Sequence, residues 1–211
     1  MAYKCNLKLK NSYAENIRLL LRKLSFSHIW ENQNTFSKSR LLHALSSKLK
    51  ESFISFWKKQ IYNDEDKPNK NKLRTYRELK SEYVLENFLL LDIPKKVISN
   101  YVKLRISNSN IYIEQGRHNN TPLDQRICPL CRKDVEDEFH FVCKCEKLQI
   151  NRLAIFRKIE EIIPNFVNMS DREKFVFIFR NNYYDIMKIC VSGIFDMANQ
   201  RKVICNQDIV F

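Results

Sequence analysis

Glycine is nearly missing from this chain: two residues in 211, Gly116 and Gly193, beside only five prolines. Sandwiches, small barrels and glycine-cradled phosphate loops depend on such residues, so their scarcity argues against all three and for helices. No apolar run approaches the ~18 residues that span a bilayer, and the opening "MAYKCNLKLK" lacks the hydrophobic core of a signal peptide. No membrane association is therefore expected. The expected setting is intracellular, in nucleus or cytoplasm, where clustered cysteines read as metal ligands and not as disulfides. Acidic residues are also outnumbered, 24 against 37 lysines and arginines, for a net charge of +13. A surplus of this size either attracts polyanions, nucleic acid first among them, or simply solvates helix faces.

What remains is a chain with 44% apolar residues, enough to build a core in one domain or two small lobes. An N-terminal helical lobe is expected over 1–62. Its first helix lies at 12–24, with Ile17, Leu20, Leu21 and Leu24 on one side, and the aromatic connector "SFSHIWENQNTF" follows. A long amphipathic helix then runs from Ser37, a fair N-cap, to about Tyr62. Leu42, Leu45, Leu49, Phe53 and Phe56 form its stripe, widened by Ile54, Trp57 and Ile61. Lys38, Arg40, Lys48, Lys50, Lys58 and Lys59 occupy the rest. "NDEDKPNKNK" (63–72) is a polar linker and the expected lobe boundary.

Residues 73–125 read as a helical region leading to a loop. A helix starts at Pro94 and buries Val97, Ile98, Tyr101, Val102 and Leu104, and a short strand at Ile111–Ile113 and a turn at Gly116 follow. Over 148–211 the chain is helical again, with a stop at Pro164, a capping box at Ser170 and Glu173, and a last helix from "YYDIM" onward. The fold class expected is mostly α: an irregular helical bundle with a small C2HC zinc knuckle at 126–147.

That knuckle is the stretch "RICPLCRKDVEDEFHFVCKC", where four of the seven cysteines fall within eighteen residues. Cys128, Cys131, His140 and Cys145 are spaced C-x2-C-x8-H-x4-C. Two intervening residues let a turn aim both sulfurs at one tetrahedral ion. Three thiolates and an imidazole fill every position, so the zinc expected here is structural and leaves no site for a reactive water. Arg126, Arg132, Lys133, Lys144 and Lys147 lie close enough in sequence to offset the negative charge of the complex. Cys143 is an alternative to Cys145, because on a helix it would share a face with His140. Its apolar neighbours Phe139, Phe141 and Val142 favour a core role for it, and Cys145 is preferred. Cys5, Cys190 and Cys205 are scattered. His28, His43 and His118 have no partner at motif spacing.

Three phrases in series carry a resemblance: "KLRTYRELK" (72–80), "VKLRISNSNIYIEQGRH" (102–118) and "DQRICPLCRKDVEDEFHFVCKC" (124–145). In that order they resemble the region downstream of the polymerase core in non-LTR retrotransposon reverse transcriptases. The likeness implies zinc ligands at Cys128, Cys131, His140 and Cys145, and it implies that Arg105, Glu114, Gly116, Arg117 and Arg126 belong to the family pattern. It also implies nucleic-acid handling. The chain departs from an intact element in lacking the aromatic-x-Asp-Asp turn that holds polymerase metals, and no Pro-Asp of a restriction-like nuclease occurs. The expectation is a non-enzymatic, zinc-binding fragment that holds RNA or single-stranded DNA through Arg105, Arg117, Arg126, Arg132, Lys133, Lys144 and Lys147. His118, Tyr112 and Phe141 are candidates to stack on bases, although core packing is the commoner use of such residues. The alternatives are a zinc-stabilised module with a protein partner, or a mobile-element fragment without a selected function.

Overall fold

A computed structural model describes residues 13–32, 37–62 and 73–207. The linker expected at 63–72 lies outside the described residues. The chain divides into two compact units, 1–60 and 61–211. Helices dominate both, and the β pairing found among the described residues is one isolated bridge.

In the first unit lie α1 (Tyr13–Lys23), α2 (Ser27–Glu31) and all but the end of α3 (Lys38–Tyr62). Ala14, Leu21 and Leu24 are buried, and α2 interrupts what reads from sequence as a plain connector. The stripe expected on α3 is there but is largely uncovered: Leu42, Leu49, Phe53 and Phe56 are each at least half exposed.

The second unit holds α4 (Arg74–Leu79), α5 (Lys95–Arg105), α6 (Tyr112–His118), α7 (Gln149–Glu160), α8 (Asp171–Arg180) and α9 (Tyr184–Gln207). The central element is α9. Ile186, Cys190, Ile194 and Met197 recur along one side of it at helical spacing and are wholly buried. It packs chiefly on α5 and α7. Above them an aromatic cluster runs from Phe88 through Tyr101 to Phe179 and Phe175, with ring centroids about 5 Å apart at each step. Burying each such ring contributes about 2 kcal/mol before its ordering cost. The Tyr101 hydroxyl donates to the Ile178 carbonyl at 3.0 Å, so its burial leaves no polar atom unpaired. The expected capping box is present on α8: the Ser170 hydroxyl accepts from Glu173 N–H, and the Glu173 carboxylate accepts from Ser170 N–H.

The scarcity of glycine has a structural counterpart. Three helices end in the same way, each with a hydrogen bond that spans five residues back: Phe26 to Leu21 after α1, Asn108 to Lys103 after α5 and Thr121 to Gly116 after α6. The left-handed position this motif requires is filled by Ser25 (φ 65°), Ser107 (φ 50°) and Asn120 (φ 56°). Both glycines instead lie in helices, where another side chain presses on the backbone. A Cβ on Gly193 of α9 would stand 2.3 Å from Ile155 Cγ1 of α7, and one on Gly116 of α6 would stand 2.6 Å from Arg126 Cγ.

The strand at Ile111–Ile113 and the turn at Gly116 are therefore corrected. Ile111 is the N-cap residue of α6, which takes in Tyr112–His118 and buries Ile113, Glu114 and Gly116. Alternating isoleucines suggest a strand, but the 3.6-residue pattern reappears once a glycine and a glutamate are allowed as inward residues. Glu114 is inward because Arg74 and Arg117 meet it there.

Candidate metal centre

The chain enters the centre as a short hairpin. Ile127 and Val135 pair antiparallel, flanked by Cys128 N–H donating to Asp134 O at 2.7 Å and Glu136 N–H donating to Arg126 O at 3.0 Å. At its tip Arg132 takes φ 58° and its N–H donates back to Cys128 O at 2.8 Å, which closes the turn that carries Cys128 and Cys131.

A π-helical turn, His140–Lys144, and the residue that ends it, Cys145, supply the other two candidate ligands. Asp137 starts it, its carboxylate accepting from His140 N–H at 2.7 Å. The turn ends when Cys145 N–H donates to His140 O at 2.8 Å, a bond from residue i+5 to residue i. In an α-helix, five residues would place position 145 about 140° around the axis from His140, and position 143 only about 60° away. The wider winding reverses that choice. Cys145 comes round to His140, and Cys143 turns into the core, 5% exposed.

The ligand atoms of Cys128, Cys131, His140 and Cys145 all lie within 4.8 Å of one another, and this group can hold a metal ion. Cys128 Sγ is 3.8 Å from Cys145 Sγ, and Cys131 Sγ is 3.3 Å from His140 Nε2. A tetrahedral ion with metal–sulfur bonds of ~2.3 Å and a metal–nitrogen bond of ~2.0 Å needs edges of about 3.8 and 3.5 Å. Those two separations are close to the edges such an ion needs. His140 Nδ1 faces Asp134 Oδ2 at 3.9 Å, a carboxylate behind the imidazole that favours Nε2 as the inward atom.

Backbone amides meet the sulfurs. Cys128 accepts from Cys131 N–H and Cys145 from Lys147 N–H, and each bond favours the thiolate. With protons in place of a metal, the bond to Cys145 and then burial push the Cys128 thiol up to about 12. The same bond holds Cys145 below the usual thiol range. Burial works against the charged ring of His140, but hydrogen bonding to Cys128 and the charge of that sulfur outweigh it and raise its pKa. A metal that binds here displaces these protons.

Several of the cations expected to contact nucleic acid have other partners. Arg126, 3% exposed, runs across Gly116 to the carbonyls of Thr121 (3.0 Å) and Ile113 (3.1 Å). Arg105, also 3% exposed, grips Glu86 with one nitrogen at 2.9 and 3.0 Å and reaches the Phe179 carbonyl with another. Neither can reach a phosphate, which corrects their assignment as nucleic-acid contacts. Arg117 is mostly buried and pairs with Glu114. Lys133 and Lys144 are exposed but paired, with Glu146 and Asp171. Arg132 and Lys147 are exposed and make no ion pair among the described residues. Of the three stacking candidates, Phe141 is 2% exposed and belongs to the core, Tyr112 is half-buried and His118 is exposed.

Sequence reasoning missed the residues that lock the hairpin in place. The Glu136 carboxylate, 1% exposed, is held by Arg201 of α9 at 2.6 and 2.7 Å and also accepts from Tyr112 N–H. Arg74 bridges Glu114 and Glu138, tying α4 to α6 and to the start of the π turn. Arg152 of α7 donates to the Cys145 carbonyl at 2.9 Å. One signal pointed to Arg201: it continues the Ile186, Cys190, Ile194, Met197 stripe, and an arginine at a core position requires a buried acid.

No helix among the described residues is long and apolar enough to cross a membrane. No protein-family model, curated protein or solved structure matches the chain.

Proposed function

We propose that this chain is a non-catalytic nucleic-acid-binding fragment of the non-LTR retrotransposon reverse transcriptase type, in which a structural zinc ion holds the 126–147 hairpin. The observation that carries the reading is the closed donor set. Three soft thiolates and one imidazole, gathered within 4.8 Å and with two of their separations near tetrahedral edge lengths, suit zinc and would leave no coordination position for an attacking water. The metal's work is then to fix backbone, and binding falls to the basic surface.

Charge distribution supports putting much of that surface on the first unit. Residues 1–60 contain twelve lysines and arginines against three acids, a net +9, whereas residues 61–211 contain twenty-five against twenty-one, a net +4. In the second unit Arg74, Arg105, Arg117, Arg172 and Arg201 pair with internal acids, and Arg126, Arg152 and Arg180 bond backbone carbonyls. In the first, Lys38, Arg40, Lys50, Lys58 and Lys59 of α3 are exposed. These side chains, with Arg132 and Lys147 beside the metal, are the phosphate contacts.

The test is binding of a labelled single-stranded RNA, its DNA counterpart and a duplex, followed by fluorescence anisotropy between ~50 and ~200 mM salt. Tight binding that weakens steeply with salt is expected. A flat salt response, with one protein captured in equal amounts by the immobilised chain, would replace this reading with the protein-interaction module.

A further inference from the structure

A cleft of about 440 Å³ opens in the second unit, between α5, the 108–111 turn, α6 and the C-terminal part of α9. It falls within the ~300–1,000 Å³ of small-ligand sites. Leu104, Ile111, Phe141 and Ala198 form its apolar floor, and the exposed His118 imidazole stands on its wall. The remaining walls are rich in carboxamides: Asn100, Asn108, Asn110 and Gln115 all face it.

Its charges do not cancel. Glu114 is neutralised by Arg74 and Arg117, and Arg201 by Glu136. That leaves Lys103 and Lys202, both exposed and without an acidic partner among the described residues. Hydrogen-bonding capacity is also left over. Ser109 Oγ is buried with no partner among the described residues, an arrangement that costs free energy unless something else supplies the bond. Gln115 Nε2 donates to Asn110 Oδ1 at 2.8 Å, which leaves the Gln115 oxygen as an acceptor and the Asn110 amide as a donor, side by side.

An apolar floor, a flat ring on the wall, adjoining amide donors and acceptors, and two unpaired ammonium groups match a planar heterocycle that carries a phosphate. We propose that this cleft takes one unpaired nucleotide of a single strand. The base lies over the floor beside His118, its edge meets Asn110, Gln115 and Ser109, and its phosphates meet Lys103 and Lys202. This rests on the nucleic-acid reading above and adds to it a site that none of the basic residues near the metal occupies. It also gives the metal a second consequence, because the floor residue Phe141 directly follows the ligand His140.

The experiment uses the full chain with its metal and a labelled twelve-nucleotide oligo(U). Two variants are compared with wild type: Lys103→Gln with Lys202→Gln, and Ala198→Trp, which plugs the cleft without changing charge. Both are expected to bind about tenfold more weakly. The lysine variant is also expected to show a shallower salt dependence, and the plugged variant an unchanged one. Side-chain amide resonances of Asn108, Asn110 and Gln115 are expected to shift on addition of the oligonucleotide. If wild type binds with a steep salt dependence while the lysine variant binds equally well and those amides stay still, the cleft proposal is overturned and the basic-surface reading stands. If wild type does not bind at all, both fall. Should the tryptophan variant fail to fold, the surface lysine variant and the amide resonances decide the matter.

Discussion

Cys143 and Cys145 lie two positions apart and are both buried, but they face different surroundings. One is a buried core thiol, pushed up to about 12 by its apolar surroundings, and the other points at three further donor atoms. Cys145→Ser is therefore expected to lose the metal and Cys143→Ser to keep it, read as metal content per chain after purification. The opposite pattern would mean that the turn is wound as an α-helix. Arg201 is as sharply constrained as the cysteines. Arg201→Met strands the Glu136 carboxylate, which is 1% exposed, and such unpaired buried charges cost about 3–5 kcal/mol. Urea unfolding should show that loss, and adding Glu136→Gln should recover much of it. At this scale the spacing of ligands was legible in the sequence, since C-x2-C and a following histidine are local facts. The partners of the arginines were not. Arg105 and Arg126 look like any basic residue until Glu86 and the Ile113 carbonyl are seen beside them.

Helix ends and helix contacts differ in how far the sequence announces them. Ser170 and Glu173 announce the start of α8 from sequence, because a capping box is contained in four residues. The ends of α1, α5 and α6 were harder to foresee, since serine and asparagine take the left-handed position where glycine is the usual signal. Gly193 is retained for another reason, the approach of α7. Gly193→Ala would gain about 1 kcal/mol of helix propensity, but its Cβ would collide with Ile155, a buried and branched side chain. Overpacking of that kind costs about 1–3 kcal/mol. A net destabilisation is expected in thermal unfolding, and Ile155→Val in the same chain should relieve part of it. If Gly193→Ala is more stable than wild type, the close crossing of α7 and α9 is wrong. Helix α6 was misread because its inward residues include a glutamate and a glycine, both of which depend on arginines elsewhere in the chain.

For the molecule as a whole, the metal centre is the place where separate parts of the second unit are joined. Hydrogen bonds from the hairpin reach α6 through Tyr112 and Ile113 N–H, α9 through Arg201 and α4 through Arg74, while Arg152 brings in α7. Removal of the proposed ion would leave three thiol groups and an imidazole competing for protons in a buried site. Chelation is expected to raise amide hydrogen exchange first over 120–160 and in α6, while the aromatic cluster around Tyr101 and Phe179 stays protected. Uniform loss of protection would show instead that the whole unit depends on the ion. Acidification should act in the same direction, since the ligands must be deprotonated to bind and the ion is released as pH falls.

By itself the sequence determined the helical class, the reach of α3, α5 and α9, the capping box and the four-residue donor pattern. Each is written within a few turns of chain, where periodicity and spacing are sufficient. The tertiary structure alone decided how the chain winds to bring Cys145 round to His140, which arginines are structural, and that 112–118 is a helix. These turn on what stands opposite a residue after folding: a carboxylate from a distant element, a side chain lying over a glycine, or a π-wound turn held by its neighbours. Local pattern carries no record of such partners, and burial makes them energetically decisive.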